Sequence, residues 1–228
     1  MTAIALDGSP VEAFALLPPG PGPDLIAQAT PDGGSVLELG CGAGRLLKPL
    51  SAKGYRCAGV DNSPDMLERV PPAIAAHLAD IETCDLGERF DVAVLASFLV
   101  NTPDAAKRDA YLRAAARHAP TVVVQRLDPE LIPGAVDAES EADGVLYEMR
   151  DVDTDGGMFR ATMRFTIDSA TYEHRYEGVV LDDGAIERAA ARANLRVDRY
   201  LDGQRTWLLL KVILGGFARA VPRQTHPE

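Results

Sequence analysis

Short, almost wholly apolar runs alternate with segments of helical spacing between Ser35 and Leu127. SVLELG (35–40) reads as a buried strand ending in glycine. GRLLKPLSAKG (44–54) follows as a helix with Gly54 as its stop. RCAGVD (56–61) is a second strand, and Ser63 caps a helix that opens at Pro64 and is interrupted at Pro71 and Pro72. A short strand is expected around His77 to Ile81. FDVAVLASFLV (90–100) is a continuous apolar run, as a central strand covered on both faces requires. Thr102 and Pro103 start a helix reaching about His118, where a cation would suit the helix dipole, and TVVVQRL (121–127) is a fifth strand. Such alternation predicts a parallel sheet with helices on both faces.

The period then changes to two over 145–181. Phe159, Ala161, Met163, Phe165 and Ile167 fall on one face, with Arg160, Thr162, Arg164, Thr166 and Asp168 on the other. Tyr172, His174, Tyr176 and Val180 likewise share a face opposite Glu173, Arg175 and Glu177. This predicts an antiparallel meander with one covered side. A helix over about 183–195 carries Ile186, Ala189, Ala190 and Ala193 at helical spacing. RVDRYLDG and TWLLLKVIL follow as two strands, and the tail from Arg219 is expected to fray. Ahead of Ser35, residues 10–17 and 24–30 read as short helices around a Pro/Gly stretch, Leu17 to Asp24, expected to be irregular.

Composition narrows the class. The 228 residues are 46% hydrophobic with a mean hydropathy of −0.05, ordinary for one soluble α/β domain. Lys and Arg total 23 against 34 Asp and Glu, a net charge of −11. So acidic a chain argues against nucleic acid and anionic membranes as partners. No run of about 18 apolar residues suggests a membrane span. MTAIALDGSPVEAF lacks the basic start and apolar core of a secretion signal. Cys41, Cys57 and Cys84 are odd in number and lack metal spacing, so reduced thiols in a cytoplasmic protein are expected, with no metal site.

The most informative segment is VLELGCGAGRL (36–46), with Gly40, Gly42 and Gly44 between a strand and a helix. Glycines there let backbone approach a ligand and free N–H groups at the helix start. The dinucleotide fingerprint G-x-G-x-x-G fits badly, because Arg45 stands in its sixth position. A P-loop also fails, since no Gly-Lys-Ser/Thr follows. A tight turn without ligand is the plain alternative, at a backbone-entropy cost for three alternate glycines.

ELGCGAGRL resembles the first motif of the class I S-adenosylmethionine-dependent methyltransferases. GVDNSPDML (59–67) is similar to that family's second motif, and FDVAVLASFLVN to its fourth, in order, over roughly 35–127. The resemblance implies an α/β, Rossmann-like, seven-stranded and mostly parallel sheet with helices on both faces. The antiparallel insertion would roof the active site. Four segments are then expected: 1–34 as an N-terminal helical lid, 35–144 as the cofactor core, 145–181 as the insertion, and 182–228 completing the core sheet.

The implied cofactor is S-adenosylmethionine (SAM). Asp61, ending the second strand, would accept both ribose hydroxyls. Gly40 and Gly42 would lie under the methionine and ribose, and Gly44 completes the loop. By analogy Glu38 orients the loop or meets the methionine end through water. Asn62 and Met66 would border the adenine, Asp80 would accept from its amino group unless Asp85 serves instead, and Ile81 would pack its ring. Ala96 and Ser97 end the fourth strand, beside the methionine moiety, and Cys41 is a small filler within the loop.

Several subclasses fall away. Ser97-Phe98-Leu99-Val100-Asn101 is not the Asn/Asp-Pro-Pro-Tyr of adenine amino-methyltransferases, and no Pro-Cys pair exists for cytosine C5 chemistry. The acids of metal-dependent catechol-type enzymes are also missing. What remains is a small molecule, with a peptide as the other possibility, and a chain that is monomeric or homodimeric. Relatives with such an insertion resemble sugar-amine, glycine-type and secondary-metabolism enzymes. The acceptor atom stays open among N, O and C, with an aromatic or indole-bearing metabolite as one candidate acceptor. The face with Tyr147, Met149, Phe159, Met163, Tyr172, His174 and Tyr176 either packs on the domain or lines a pocket; Met149, Phe159 and Met163 are read mainly as packing, while Tyr172, His174 and Tyr176 either pack or bond a polar substrate. His174 is the candidate base, since an alcohol, phenol or indole N–H must lose a proton. A non-catalytic SAM-binding protein and a nucleotide-binding oxidoreductase stay as alternatives.

Overall fold

A computed structural model describes residues 3–130 and 132–213 of the chain, and the tail from Arg219 lies outside them. In chain order the strands are β1 (Ser35–Leu39), β2 (Arg56–Asp61), β3 (Ala75–Leu78), β4 (Val92–Leu95), β5 (Thr121–Gln125), β6 (Ala138–Ala142), β7 (Val145–Asp153), β8 (Met158–Ile167), β9 (Ala170–Val179), β10 (Leu195–Tyr200) and β11 (Trp207–Val212). The helices are α1 (Val11–Leu16), α2 (Gly22–Ala29), α3 (Leu47–Ala52), α4 (Pro64–Leu67), α5 (Ala105–His118) and α6 (Asp183–Arg192). Seven strands form one sheet in the order β10-β11-β5-β4-β1-β2-β3, with β11 antiparallel to both neighbours and the others parallel. β6 to β9 form a second, wholly antiparallel sheet.

The apolar runs are explained by helices on both faces. Leu37, Leu39, Leu95 and Val124 pack with Leu112 and Ala115 of α5 and Ile186 and Ala189 of α6. Val36, Val92, Val94 and Val123 point the other way, against Ile26 of α2 and Leu47 and Leu50 of α3. Each strand therefore reads apolar at successive positions instead of alternating. The second sheet uses one face only. Val145 and Phe165 are buried against Ala13 of α1, and Phe159 and Ala161 against Leu127 after β5. That sheet covers α1 and the chain leaving β4 and β5.

Several boundaries differ from expectation. The helix expected from 44 begins at Leu47, because Gly42 (φ 50°) and Gly44 (φ 75°) are left-handed and hold the loop open for another turn. The strand expected over 90–100 ends at Leu95, because Ser97 (φ 51°) and Phe98 (φ 61°) turn left-handed. α5 begins after Asp104, whose carboxylate accepts from the N–H groups of Ala106 (2.9 Å) and Lys107 (3.1 Å). α2 begins at Gly22, inside the stretch expected to be irregular, with Pro23 in its first turn where a missing N–H costs nothing. The meander has one more strand in front, AESEA of β6, exposed at all five positions and so without alternation to read. His118 is not a capping cation: its Nε2 accepts from the Leu86 N–H (3.1 Å) and its Nδ1 meets the Ala114 carbonyl (2.8 Å), a neutral tautomer in a buried site. Among the described residues no helix is long and apolar enough to cross a membrane.

Candidate functional site

The loop from β1 to α3 and the acid ending β2 form one unit. Gly40 and Cys41 donate to the Val60 carbonyl (2.7 and 3.0 Å), which curls the loop back over β2. The Gly42 N–H then donates to Asp61 Oδ2 at 2.7 Å, and the Ser63 N–H to Asp61 Oδ1 at 2.9 Å. Each oxygen keeps an acceptor site, so a diol at this edge finds a preset partner. Burial pushes the Asp61 carboxyl above the usual carboxylate range, and the two N–H donors act against that.

Asn62, Asp80, Met66 and Ile81 surround the same edge. Asn62 donates to Asp80 Oδ1 at 3.1 Å, so these two sit together. A Cβ at Gly42 would meet only Met66 Sδ, at 3.7 Å, leaving open space above the loop. A Cβ at Gly40 would strike Leu99 Cδ1 at 2.6 Å and come within 3.3 Å of Ile81 Cδ1. Leu99 is thus part of the edge, which no pattern in its neighbourhood announced. Cys41 is buried against Gly59, and burial, Glu38 and Asp61 push its thiol well up, so it is an inert filler.

Glu38 is 3% exposed, and its Oε2 is buried without a hydrogen-bond partner among the described residues. Burial raises its carboxyl to about 8, against the nearby Arg45 guanidinium. An orphaned buried oxygen, an open cradle over Gly42 and a carboxylate at the end of β2 all fit a ligand with polar ends lying across the loop. The raised value has a consequence for the free protein. The folded state holds a proton on Glu38 between the ordinary carboxylate range and about 8, so stability falls as pH rises through that window. Urea titrations at pH 5.5 and 8 are expected to show that fall, and Glu38→Gln, which keeps the neutral form, is expected to flatten it.

Ala96 is buried, and beyond it the chain is held in an unfavourable shape. Left-handed Ser97 and Phe98 together cost about 2–6 kcal/mol at 1–3 each. The turn is held by the Ser97 N–H donating to Gln125 Oε1 (2.9 Å) and by Arg45 Nη2 approaching Ser97 Oγ (3.5 Å). Arg45 also donates from Nη1 to the Pro18 carbonyl (3.0 Å), tying the N-terminal segment to the end of β4. Sequence reasoning used Arg45 only to reject a fingerprint, and it passed over Gln125.

Tyr172, His174 and Tyr176 share a face but not an environment. Tyr172 packs in the cluster around Phe165 and Ala13. The His174 ring stands edge-on to Phe14 of α1 (centroids 5.7 Å), and its Nδ1 is buried without a partner among the described residues. Tyr176 packs on Phe159 and Phe98 and donates weakly to the Phe98 carbonyl (3.4 Å), and burial holds its phenol well above the ordinary range. A cavity of about 660 Å³ lies elsewhere: between the Pro18–Gly22 segment, Arg45, Gln125, the β6–β7 hairpin with Asp143 and Tyr147, and Trp207. None of the three lines it.

The sequence pattern of a family described as a methyltransferase domain matches residues 19–199. The chain belongs to the class I SAM-dependent methyltransferase family. SAM is the cofactor. The chain is 30% identical over 162 residues to a protein of Saccharopolyspora spinosa named dTDP-4-amino-2,3,4,6-tetradeoxy-D-glucose N,N-dimethyltransferase. That match spans 64% of each chain, just under two thirds of the relative. Among solved structures, the sugar N-methyltransferase KedS8 from Streptoalloteichus superposes with a TM-score of 0.68 at 20% identity, covering 92% of this chain and 95% of that one. SAM-bound CalS10, an amino pentose methyltransferase from Micromonospora echinaspora, gives 0.67 at 22% identity, covering 90% and 92%. At such identities these two likenesses establish the fold.

Proposed function

We propose that this methyltransferase transfers a methyl group to the amine of an amino-sugar-bearing small molecule in bacterial secondary metabolism. The observation that carries the reading is the cavity lined by Gln125 and Arg45, the two residues that hold the Ser97 turn, and by Tyr147, Trp207 and the acid Asp143. The curated relative is named for N-methylation of an amino sugar, which supports nitrogen as the acceptor atom.

When bound, SAM supplies a methyl carbon that takes the amine lone pair while the C–S bonding pair returns to sulfur. The chain's own part is to align and to exclude water. We assign Asp61 to the ribose diol, Asn62, Met66, Asp80 and Ile81 to the surround of the adenine, and Glu38, Gly40, Ala96 and Ser97 to the methionine end. An amine releases its proton to solvent before attack and again after transfer, so nothing in the cavity needs to be a strong base. Tyr172, His174 and Tyr176 then shape and stiffen the roof, with Tyr176 bracing Phe98.

Two measurements test these roles. Asp61→Ala is expected to weaken SAM binding by about 1.5–3 kcal/mol, the range for a lost charged hydrogen bond, and unchanged affinity in calorimetry would remove Asp61 from the site. A general base contributes about 10²–10⁴-fold, whereas a ring packed on Phe14 does not, so His174→Ala is expected to cost less than about tenfold in kcat. A larger loss together with a vanished limb in the pH–rate profile would make His174 the base. Turnover on a panel of amino sugars separates this function from a non-catalytic SAM binder, and calorimetry with NAD separates it from an oxidoreductase.

A further inference from the structure

The walls of the 660 Å³ cavity carry neutral donors, among them Gln125, Ser140, Gln204 and Thr206, but more acid than base. Its N-terminal wall is Pro18-Pro19-Gly20-Pro21-Gly22, in which three residues have no N–H to give. The start of α2 faces the cavity, yet it is a weak anion site. Pro21 and Pro23 lack N–H groups, and those of Asp24 and Leu25 already donate to the Pro21 carbonyl (3.1 and 3.2 Å). Asp24 in that first turn is ion-paired with Lys53. Among the described residues that line the cavity Arg45 is the one cation. Its guanidinium is already turned to the Pro18 carbonyl, Ser97 Oγ and the Glu38 region. Against it stand Asp143 and Asp202, leaving a formal lining charge of −1 from one cation and two carboxylates.

The two acids differ. Asp202 is consumed by the β10–β11 turn, accepting from the N–H groups of Thr206 (2.9 Å) and Trp207 (3.1 Å). Asp143 sits at the exposed tip of the β6–β7 hairpin, left-handed at φ 51° before Gly144, and lines the cavity. Tyr147 and Trp207 supply aromatic surface within the same cavity. An exposed carboxylate and aromatic surface in one lining attract an ammonium group. A diphosphate calls for several cations or a row of free N–H groups, and among the described residues the cavity offers one guanidinium, already engaged by Pro18 and Ser97.

We infer that this cavity takes an amine-bearing acceptor without phosphate and disfavours the same amino sugar linked to a nucleoside diphosphate. The inference rests on the amino-sugar N-methyltransferase reading. It places methylation after glycosyl transfer. In that class of reaction the anomeric carbon's bond to the diphosphate breaks, the nucleoside diphosphate leaves with the electron pair, and an acceptor hydroxyl takes its place and loses its proton.

The test compares two acceptors for the full-length protein with SAM: the O-methyl glycoside of a 4-amino-2,3,4,6-tetradeoxyhexose, and the same sugar linked to thymidine diphosphate. The glycoside is expected to have the higher kcat/KM by about tenfold or more, and free thymidine diphosphate is expected not to compete with it. Asp143→Asn, which the left-handed turn position tolerates, is expected to raise KM for the glycoside several-fold with kcat unchanged and to narrow the preference. A nucleotide-linked sugar preferred by about tenfold would overturn the inference and leave the N-methyltransferase reading standing. Methylation of neither sugar by a protein that still binds SAM would overturn both.

Discussion

Gly42→Val should yield a folded protein that no longer binds SAM. The reason is local. Gly42 holds φ at 50°, where a β-branched residue is a true outlier. Its N–H also donates to Asp61 Oδ2 at 2.7 Å, so any relaxation of the strained backbone loosens that carboxylate. The fold itself has room for the change, since a Cβ there meets only Met66 Sδ at 3.7 Å. The added methyl groups therefore enter the open space over the loop and not the core. Both effects act on the ligand side, and a loss of at least about 100-fold, roughly 2.8 kcal/mol, is expected in calorimetry with SAM. A cooperative thermal transition close to wild type should accompany it. Affinity within about threefold of wild type would mean the ligand does not lie over Gly42.

The position of Asp61 follows from a strand that could be read to the residue, because RCAGVD is bounded by a glycine stop before it and a Ser-Pro helix start after it. The starts of β1 and β5 were legible too, because burial on both faces leaves unbroken apolar runs, but both strands end short of the expected Gly40 and Leu127, at Leu39 and Gln125. Failures have one kind of cause. Ser97 and Phe98 look like the continuation of an apolar strand, and distant partners, Gln125 and Arg45 on Ser97 and Tyr176 on Phe98, hold them left-handed. β6 is exposed throughout, meeting β7 through its backbone ladder and the Arg150 side chain, so its side chains carry no period. Arg45, Leu99, Gln125 and Asp143 act through neighbours far along the chain, and no local spacing announces such contacts. The His174 face was legible as a face. That it meets Phe14 of α1 depends on where an N-terminal helix lands, which no periodicity encodes.

Arg126→Met is expected to be the most destabilising single change outside the hydrophobic core. Arg126 is fully buried at the end of β5, where sequence pattern alone treats it as a strand's last polar residue. Its Nε donates to the Arg205 carbonyl (3.1 Å), Nη1 to the Leu181 carbonyl (2.9 Å) and Nη2 to Asp183 Oδ1 (2.6 Å). One side chain thus ties the exit of β5 to three segments: the return from the second sheet, the start of α6 and the β10–β11 turn. Methionine fills comparable volume but leaves two carbonyls without a partner and removes one of two cations from Asp183, which keeps Arg205. Breaking a buried pair costs about 3–5 kcal/mol, and the partial exposure of Asp183 places this case near the lower end. At about 3 kcal/mol a chain of this size should lose about 6–12 °C in Tm. Arg126→Lys should recover only part of this, because an ammonium cannot reach three acceptors at fork geometry. Loosening the Leu181 and Arg205 anchors also frees the cavity walls nearest Asp202 and Trp207, so KM for the acceptor should rise more than the Kd for SAM. A Tm shift below about 2 °C would mean the three acceptors find water or other donors, and the anchor would lose its role.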